Sequence, residues 1–383
     1  SIHDRFTLFF LNATNASDKA PGLWEICSSN AVRSLPVGLL VSSPMTANRN
    51  CPDRASDATD TNELVKAMIE GDRRALAQAI TLVESTSDAH RGQAEALLEA
   101  AQPHSGRSIR VGVTGLPGVG KSSLIEAVGL HAIQQEHRVA VLAVDPSSSV
   151  SGGSILGDKT RMQELARNNA AFVRPSPTGG TLGGVARRTR EAMLLCDAAG
   201  YDVVFVETVG VGQSEMAVVD MTDMFLLMLL PGAGDELQGL KRGVAELAHV
   251  ILINKADGDL ADQAVQTAAD YRAALGLLQP VANDWSVPVA TCSMTTGDGV
   301  AEIWSLIGRF QKIFEGSGDM ARRRSVQTKS WMWSEVDEGL RAALRTHREV
   351  KRVLPALEAD VTDGRTSATA AARLLLEAFR SAD

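Results

Sequence analysis

A chain of 383 residues with 44% hydrophobic and 22% charged side chains has the make-up of a globular protein of two or three units. Its formal net charge of −8 argues against a general binder of nucleic acid or anionic membrane, and no apolar run approaches the roughly 20 residues that span a bilayer. Cys27, Cys51, Cys196 and Cys292 form no CxxC pair, which argues against a zinc ribbon or disulfide framework and makes the cytoplasm the expected compartment.

Residues 1–60 are rich in Ser, Asn, Pro and Ala and hold no sustained hydrophobic period. FTLFFL near the start is too short for a signal-peptide core. The expectation is a disordered tail or a leader foreign to the native chain, with Met45 a candidate start. Residues 61–107 form an N-terminal helical segment. Thr61 stands as a cap before the stripe Leu64, Val65, Met68 and Ile69, and a second helix runs over about 88–101 until Pro103 and Gly106 end it.

From Ser108 the pattern changes to apolar strands alternating with amphipathic helices. IRVGVT, VAVLAV, DVVFVET, MFLLMLL, VILIN and VPVATC are the candidate strands. Continuous apolar runs suit strands covered on both faces, so residues 108–316 are expected to form a mostly parallel α/β sheet flanked by helices. Its last helix ends near Phe314. Residues 317–383 form a C-terminal helical arm, with one helix over about 325–351 and another over 368–379 capped by Ser367. A long helix carrying Trp331, Met332, Trp333, Val336 and Leu340 cannot bury its apolar face alone. It folds back on the domain or packs on a second copy, so a homodimer is expected. The seven histidines include no HExxH, and His131 and His137, six apart, do not share a helix face.

IRVGVTGLPGVGKSS carries the strongest chemistry. Gly115 and Gly120-Lys121-Ser122 satisfy GxxxxGK[ST] between a strand and a helix, the context this P-loop motif requires. Backbone N–H groups across Gly115, Pro117, Gly118, Val119, Gly120, Lys121, Ser122 and Ser123 would close around phosphate oxygens; Pro117 itself supplies none. Lys121 would reach the β/γ-phosphates and Ser122 would bind Mg²⁺. Asn254-Lys255-Ala256-Asp257, at the end of VILIN, reads as a guanine site. The Asp257 carboxylate can accept from guanine N1–H and the 2-amino group, donors that adenine lacks. TCSMTTGDG fits a second guanine-side loop with Ser293 and Met294 facing the base.

Asp145 and Glu207 end their strands at the edge that faces the ligand crevice and are candidate Mg²⁺ residues; helix capping is the other reading, and Asp145 before Pro146 suits it. Asp158 and Lys159, in the Gly/Ser-rich approach to GDKTRM, form a candidate first switch. TVGVGQ, with Gly210, is a candidate second switch whose amides can sense a γ-phosphate. Gln213 is a candidate for positioning the attacking water. Lys121, Asp158, Glu207 and Gln213 are thus the candidate catalytic residues. LLPGAGDELQGLKRG, Leu229 to Gly243, matches none of the common nucleotide signatures; on its residues alone it is equally a solvated turn or a switch.

GLPGVGKSS, AVDPSSS, GDKTRM, ETVGVGQSE, GAGDELQGLK, NKAD and TCSMTTGDG, in this order, resemble the MeaB/ArgK family of GTPases associated with adenosylcobalamin-dependent methylmalonyl-CoA mutase. The resemblance covers about residues 60–380. It implies a Mg²⁺-dependent P-loop GTPase cycling between GTP and GDP. It makes GAGDELQGLK a third switch, with Asp235, Glu236, Gln238 and Lys241 linking nucleotide state to the partner. It also implies that the chain gates adenosylcobalamin loading and protects a cobalamin-dependent acyl-CoA mutase, meeting the cofactor only through that enzyme. Met294 departs from the alanine the family pattern expects. Two other readings remain: a metal-insertion GTPase, which needs a Cys/His cluster this sequence lacks, and a transport-associated nucleotidase or kinase, which Asp257 opposes.

Overall fold

The computed structural model describes residues 57–85, 87–144, 162–175, 182–208, 214–232, 242–276 and 285–380. Among them, seven strands form one parallel sheet: β1 (Ile109–Gly115), β2 (Val139–Val144), β3 (Ala171–Arg174), β4 (Val203–Thr208), β5 (Met224–Leu229), β6 (Val250–Ile253) and β7 (Val289–Thr291), in the order β3-β2-β4-β1-β5-β6-β7. β3 is the strand the sequence reading lacks. Its four residues, AFVR, pair with β2 from Val139↔Ala171 to Leu142↔Arg174.

Side-chain alternation along the strands divides the core in two. Val111, Val141, Phe205, Leu226 and Leu252 face one layer with α4 (Lys121–Gln134) and α10 (Val300–Gly316). Ala140, Leu142, Val204, Val206 and Phe225 face the other, with α1 (Asp57–Ile69), α2 (Arg73–Val83), α3 (Asp88–Ala101) and α6 (Leu182–Ala198). α9 (Ala261–Leu275) covers Leu227, Leu229, Ile251 and Ile253 through the small residues Ala264 and Ala268. Both faces are covered, so the strands are mostly apolar, with Glu207 and Thr208 of β4 placed at the carboxyl edge.

The N-terminal segment differs from the expectation in two ways. α1 begins at Asp57, so Thr61 lies inside the helix and does not cap it. The chain then breaks at Gly71, and Asp72 caps α2 by accepting from the Arg74 N–H at 2.7 Å. An Asp at that position satisfies a donor that no earlier helical carbonyl can reach. Arg174 at the end of β3 grips Glu84 and Thr81, joining this segment to the sheet edge.

Past Gly318 the arm comprises α11 (Asp319–Thr346), α12 (Arg348–Thr362) and α13 (Ala368–Arg380), the last capped by Ser367, whose hydroxyl accepts from Ala370 N–H at 3.3 Å. α11 starts earlier than expected, and its 28 residues extend about 42 Å at 1.5 Å per residue. Its polarity is reversed relative to an ordinary surface helix. Met320, Arg323, Arg324, Gln327 and Glu335 share the side that meets the domain. Val326, Trp333, Val336 and Leu340 lie on the opposite side and are 67%, 57%, 41% and 57% exposed. The short helices α5 (Gln163–Arg167), α7 (Ser214–Val219) and α8 (Arg242–Glu246) complete the order.

Candidate guanine-nucleotide site

All the described site residues stand at one edge of the sheet, where the parallel strands present their carboxyl ends. β1 runs into the P-loop, and Lys121 opens α4. The Lys121 ammonium donates to the Gly115 and Leu116 carbonyls at 2.9 and 3.2 Å, so the loop curls around the group meant for phosphate. Pro117, Gly118 and Ser123 are exposed, while Val119 is buried beneath the loop.

Gly120 is required by its backbone. Its φ is 99°, and an added Cβ would sit 2.5 Å from Asn254 Nδ2. Gly120→Ala is expected to destabilise the fold by about 1–3 kcal/mol and to weaken nucleotide binding at least about tenfold. Titration with a fluorescent GDP analogue checks this; wild-type affinity would place the phosphate elsewhere.

Ser122 Oγ donates to Glu207 Oε1 at 2.8 Å. Glu207, the penultimate residue of β4, is in register with Val113 of β1 and Ala143 of β2, and it is buried. A hydroxyl and a carboxylate at this separation are hard oxygen donors, and Mg²⁺ favours such ligands together with phosphate and water. The pair therefore fits the ion. Beside it, the buried Thr208 hydroxyl donates to Thr114 Oγ1 at 2.9 Å, tying β4 to β1 at the same edge.

On the guanine side, Asn254 follows β6 and is buried. Its Nδ2 donates to the Val119 carbonyl at 2.7 Å, and its Oδ1 lies 3.7 Å from Cys292 Sγ. Asn254 thus braces the P-loop as well as the base loop. Burial pushes the Cys292 thiol up to about 12, which keeps it protonated and able to donate. Lys255 has φ 61° and is exposed, so its side chain rises from a turned backbone. Ser293 Oγ donates to Asp257 Oδ2, fixing the carboxylate from behind. Ser293 also accepts from the Thr295 and Thr296 N–H groups at 3.2 and 3.3 Å. Met294 is half-buried against the core.

The structure therefore gathers Gly115 to Ser123, Glu207, Asn254, Lys255, Asp257, Ser293 and Met294 along one edge. Asp145, Asp158, Lys159, Gly210, Gln213, Asp235, Glu236, Gln238 and Lys241 lie outside the described residues. The LLPGAGDELQGLKRG loop is described up to Gly232. There the N–H donates to Thr267 Oγ1 on α9 at 3.0 Å, φ is 77°, and an added Cβ would meet Gln263 Nε2. Sequence reasoning missed this root contact and the Cys292–Asn254–Val119 chain. Both join residues far apart in the chain, and only the glycine gave a signal.

A family model described as "Methylmalonyl Co-A mutase-associated GTPase MeaB" matches residues 76–349. A Caulobacter vibrioides protein whose name carries the word GTPase is 53% identical over 322 residues, 84% of this chain and 98% of that one. The mouse "Methylmalonic aciduria type A homolog, mitochondrial" is 47% identical over 330 residues, 84% of this chain and 80% of that one. Among solved structures, one titled as a LAO/AO transport system kinase superposes with a TM-score of 0.65 at 37% identity, covering 86% of this chain and 99% of that one.

Proposed function

Because the chain belongs to the MeaB family of mutase-associated GTPases, we propose that it couples GTP binding and hydrolysis to the care of a cobalamin-dependent acyl-CoA mutase. The client is methylmalonyl-CoA mutase or a close relative. The chain gates adenosylcobalamin loading and protects the loaded enzyme, meeting the cofactor only through its partner. The reading is carried by the Asn254–Val119 hydrogen bond, which joins the guanine half and the phosphate half of one pocket in a chain of this family.

Hydrolysis in such a pocket rests on positioning and charge rather than covalent chemistry. Lys121 and the loop amides hold the phosphates. Ser122 and Glu207, with Asp145, would hold Mg²⁺, which would neutralise negative charge on the phosphate oxygens. Asp257, steadied by Ser293, selects guanine, and Asn254 and Lys255 shape the base site. Met294 packs behind that loop. Asp158, Lys159, Gly210 and Gln213 respond to the γ-phosphate, with Gln213 orienting water. Asp235, Glu236, Gln238 and Lys241 report nucleotide state to the mutase.

Residues 108–316 are the GTPase body, 61–107 its helical collar, whose first helix opens from Asp57, and 317–383 the arm. The outward stripe of α11 mates with a second copy in a cytoplasmic homodimer, and a light-scattering mass equal to one chain would refute that part. Nucleic acid and membrane take no part. The kinase title of the similar solved structure favours a transport-linked ATPase as the second reading.

Capture by mutase decides between them. Immobilised chain loaded with a non-hydrolysable GTP analogue or with GDP is exposed to purified methylmalonyl-CoA mutase. Retention that differs between the two nucleotides is expected, as is faster GTP hydrolysis with mutase present. Equal retention and unchanged hydrolysis would sink the gating role, and tighter binding of ATP than GTP would restore the transport reading.

A further inference from the structure

The first turns of α11 carry three polar side chains on one face, and all three reach the same connection. Gln327 Nε2 donates to the Thr222 carbonyl at 2.9 Å. Arg324 donates to both Asp223 oxygens, at 2.8 and 2.6 Å. Arg323 Nη2 donates to the Val219 carbonyl at 3.3 Å. Val219 ends α7, residues 220–223 join it to β5, and α7 begins directly after residue 213, the end of TVGVGQ.

Arg323 makes a second contact. Its Nη1 lies 2.9 Å from His249 Nε2, on the connection between α8 and β6. α8 begins directly after residue 241, the end of GAGDELQGLK's lysine. One guanidinium therefore joins the end of α7 to the connection before β6, and each lies downstream of a segment read as a switch.

The joint at His249 is chemically overdetermined. The ring is buried, with Phe310 and Phe314 at centroid distances of 5.0 and 6.1 Å. Burial, and then the Arg323 charge, hold its pKa down to about 3, so it is neutral. Its Nδ1 accepts from the Phe225 N–H at 3.0 Å. A neutral imidazole offers one acceptor nitrogen. While Nδ1 serves Phe225, Nε2 carries the proton and meets an Arg323 N–H head on. When Nε2 accepts from Arg323, the Phe225 N–H faces another N–H. The two hydrogen bonds exclude each other, so the ring has two tautomers to choose between, one serving Phe225 and one serving Arg323. Both Asp223 oxygens are engaged by Arg324, so Arg323, whose pKa burial lowers, is met by a carbonyl and an imidazole instead.

We propose that Arg323 is a positioning residue of the GTPase cycle, linking the arm to nucleotide state through the Val219 and His249 contacts. The inference rests on the reading of 209–213 and 233–241 as nucleotide-responsive segments. A two-state contact biased by one ligand must bias that ligand in return. If the clasp differs between the GTP and GDP states, removing it changes the ratio of the two affinities.

The test measures dissociation constants of fluorescent GDP and of a non-hydrolysable fluorescent GTP analogue for wild type, Arg323→Ala and Gln327→Ala. The ratio of the two constants is expected to shift at least about fivefold in Arg323→Ala, and less but in the same direction in Gln327→Ala. A merely structural role would weaken both ligands together and leave the ratio alone. A ratio within about twofold of wild type in folded Arg323→Ala overturns the proposal. Should Arg323→Ala fail to fold, Gln327→Ala decides by the same criterion. Wild type that binds neither nucleotide would overturn the proposed function and this inference together; tight binding with an unmoved ratio would overturn this inference alone.

Discussion

Lys121→Ala is expected to abolish measurable GTP turnover and to weaken guanine-nucleotide binding more than any other single change in the pocket. The ammonium is held at the mouth of the P-loop by the Gly115 and Leu116 carbonyls, on a side chain only 6% exposed. Its place is set by the fold before any phosphate arrives. A preorganised charge of this kind costs no rearrangement when negative charge develops on the transferring group. Loss of one such donor lowers turnover by about 10²–10³-fold. Malachite-green phosphate release and titration of fluorescent GDP, with circular dichroism to confirm folding, give the measurement. Turnover within about tenfold of wild type would remove the P-loop from the catalytic site.

The second large effect falls on base choice. Asp257→Asn is expected to lower GTP affinity by about 10²–10⁴-fold, from two charge-assisted hydrogen bonds of about 1.5–3 kcal/mol each. Ser293 can still donate to the remaining side-chain oxygen, so the loop should keep its shape. The new amide can donate to the 2-oxo group of xanthine, so xanthosine triphosphate should gain what GTP loses. Competition titrations with GTP, xanthosine triphosphate and ATP read both changes. Unaltered preference among the three would mean that Asp257 does not touch the base.

The parts of the molecule that were legible in the sequence are those whose cause is local. Six strands announce themselves, most of them as continuous apolar runs, because a strand covered on both faces has no polar side to break the run. AFVR did not, since four residues after an Asn-Asn turn carry no period worth reading. The stripe Leu64, Val65, Met68 and Ile69 locates α1, but its end before Gly71 and the start of α2 behind the Asp72 cap rest on ordinary turn chemistry that is visible in the sequence. The P-loop and NKAD could be read because their backbone geometry dictates residue type. The Asn254–Val119 tie and the Arg323 bridge could not. Each depends on where two distant stretches meet, and nothing in ARRRS says that its second arginine will find an imidazole 74 positions away. The order of the motifs carried the family, which local chemistry alone left open.

The reversed polarity of α11 has a thermodynamic consequence for the isolated molecule. A helix whose water-repelling residues point away from its own domain draws little folding energy from that domain beyond its first turns. In the proposed pairing, a second copy supplies the remainder by covering Val326, Trp333, Val336 and Leu340. Heat resistance of the outer arm should then follow mass action, rising with protein concentration while the sheet's own melting stays put. Dilution would loosen the arm and leave the sheet intact.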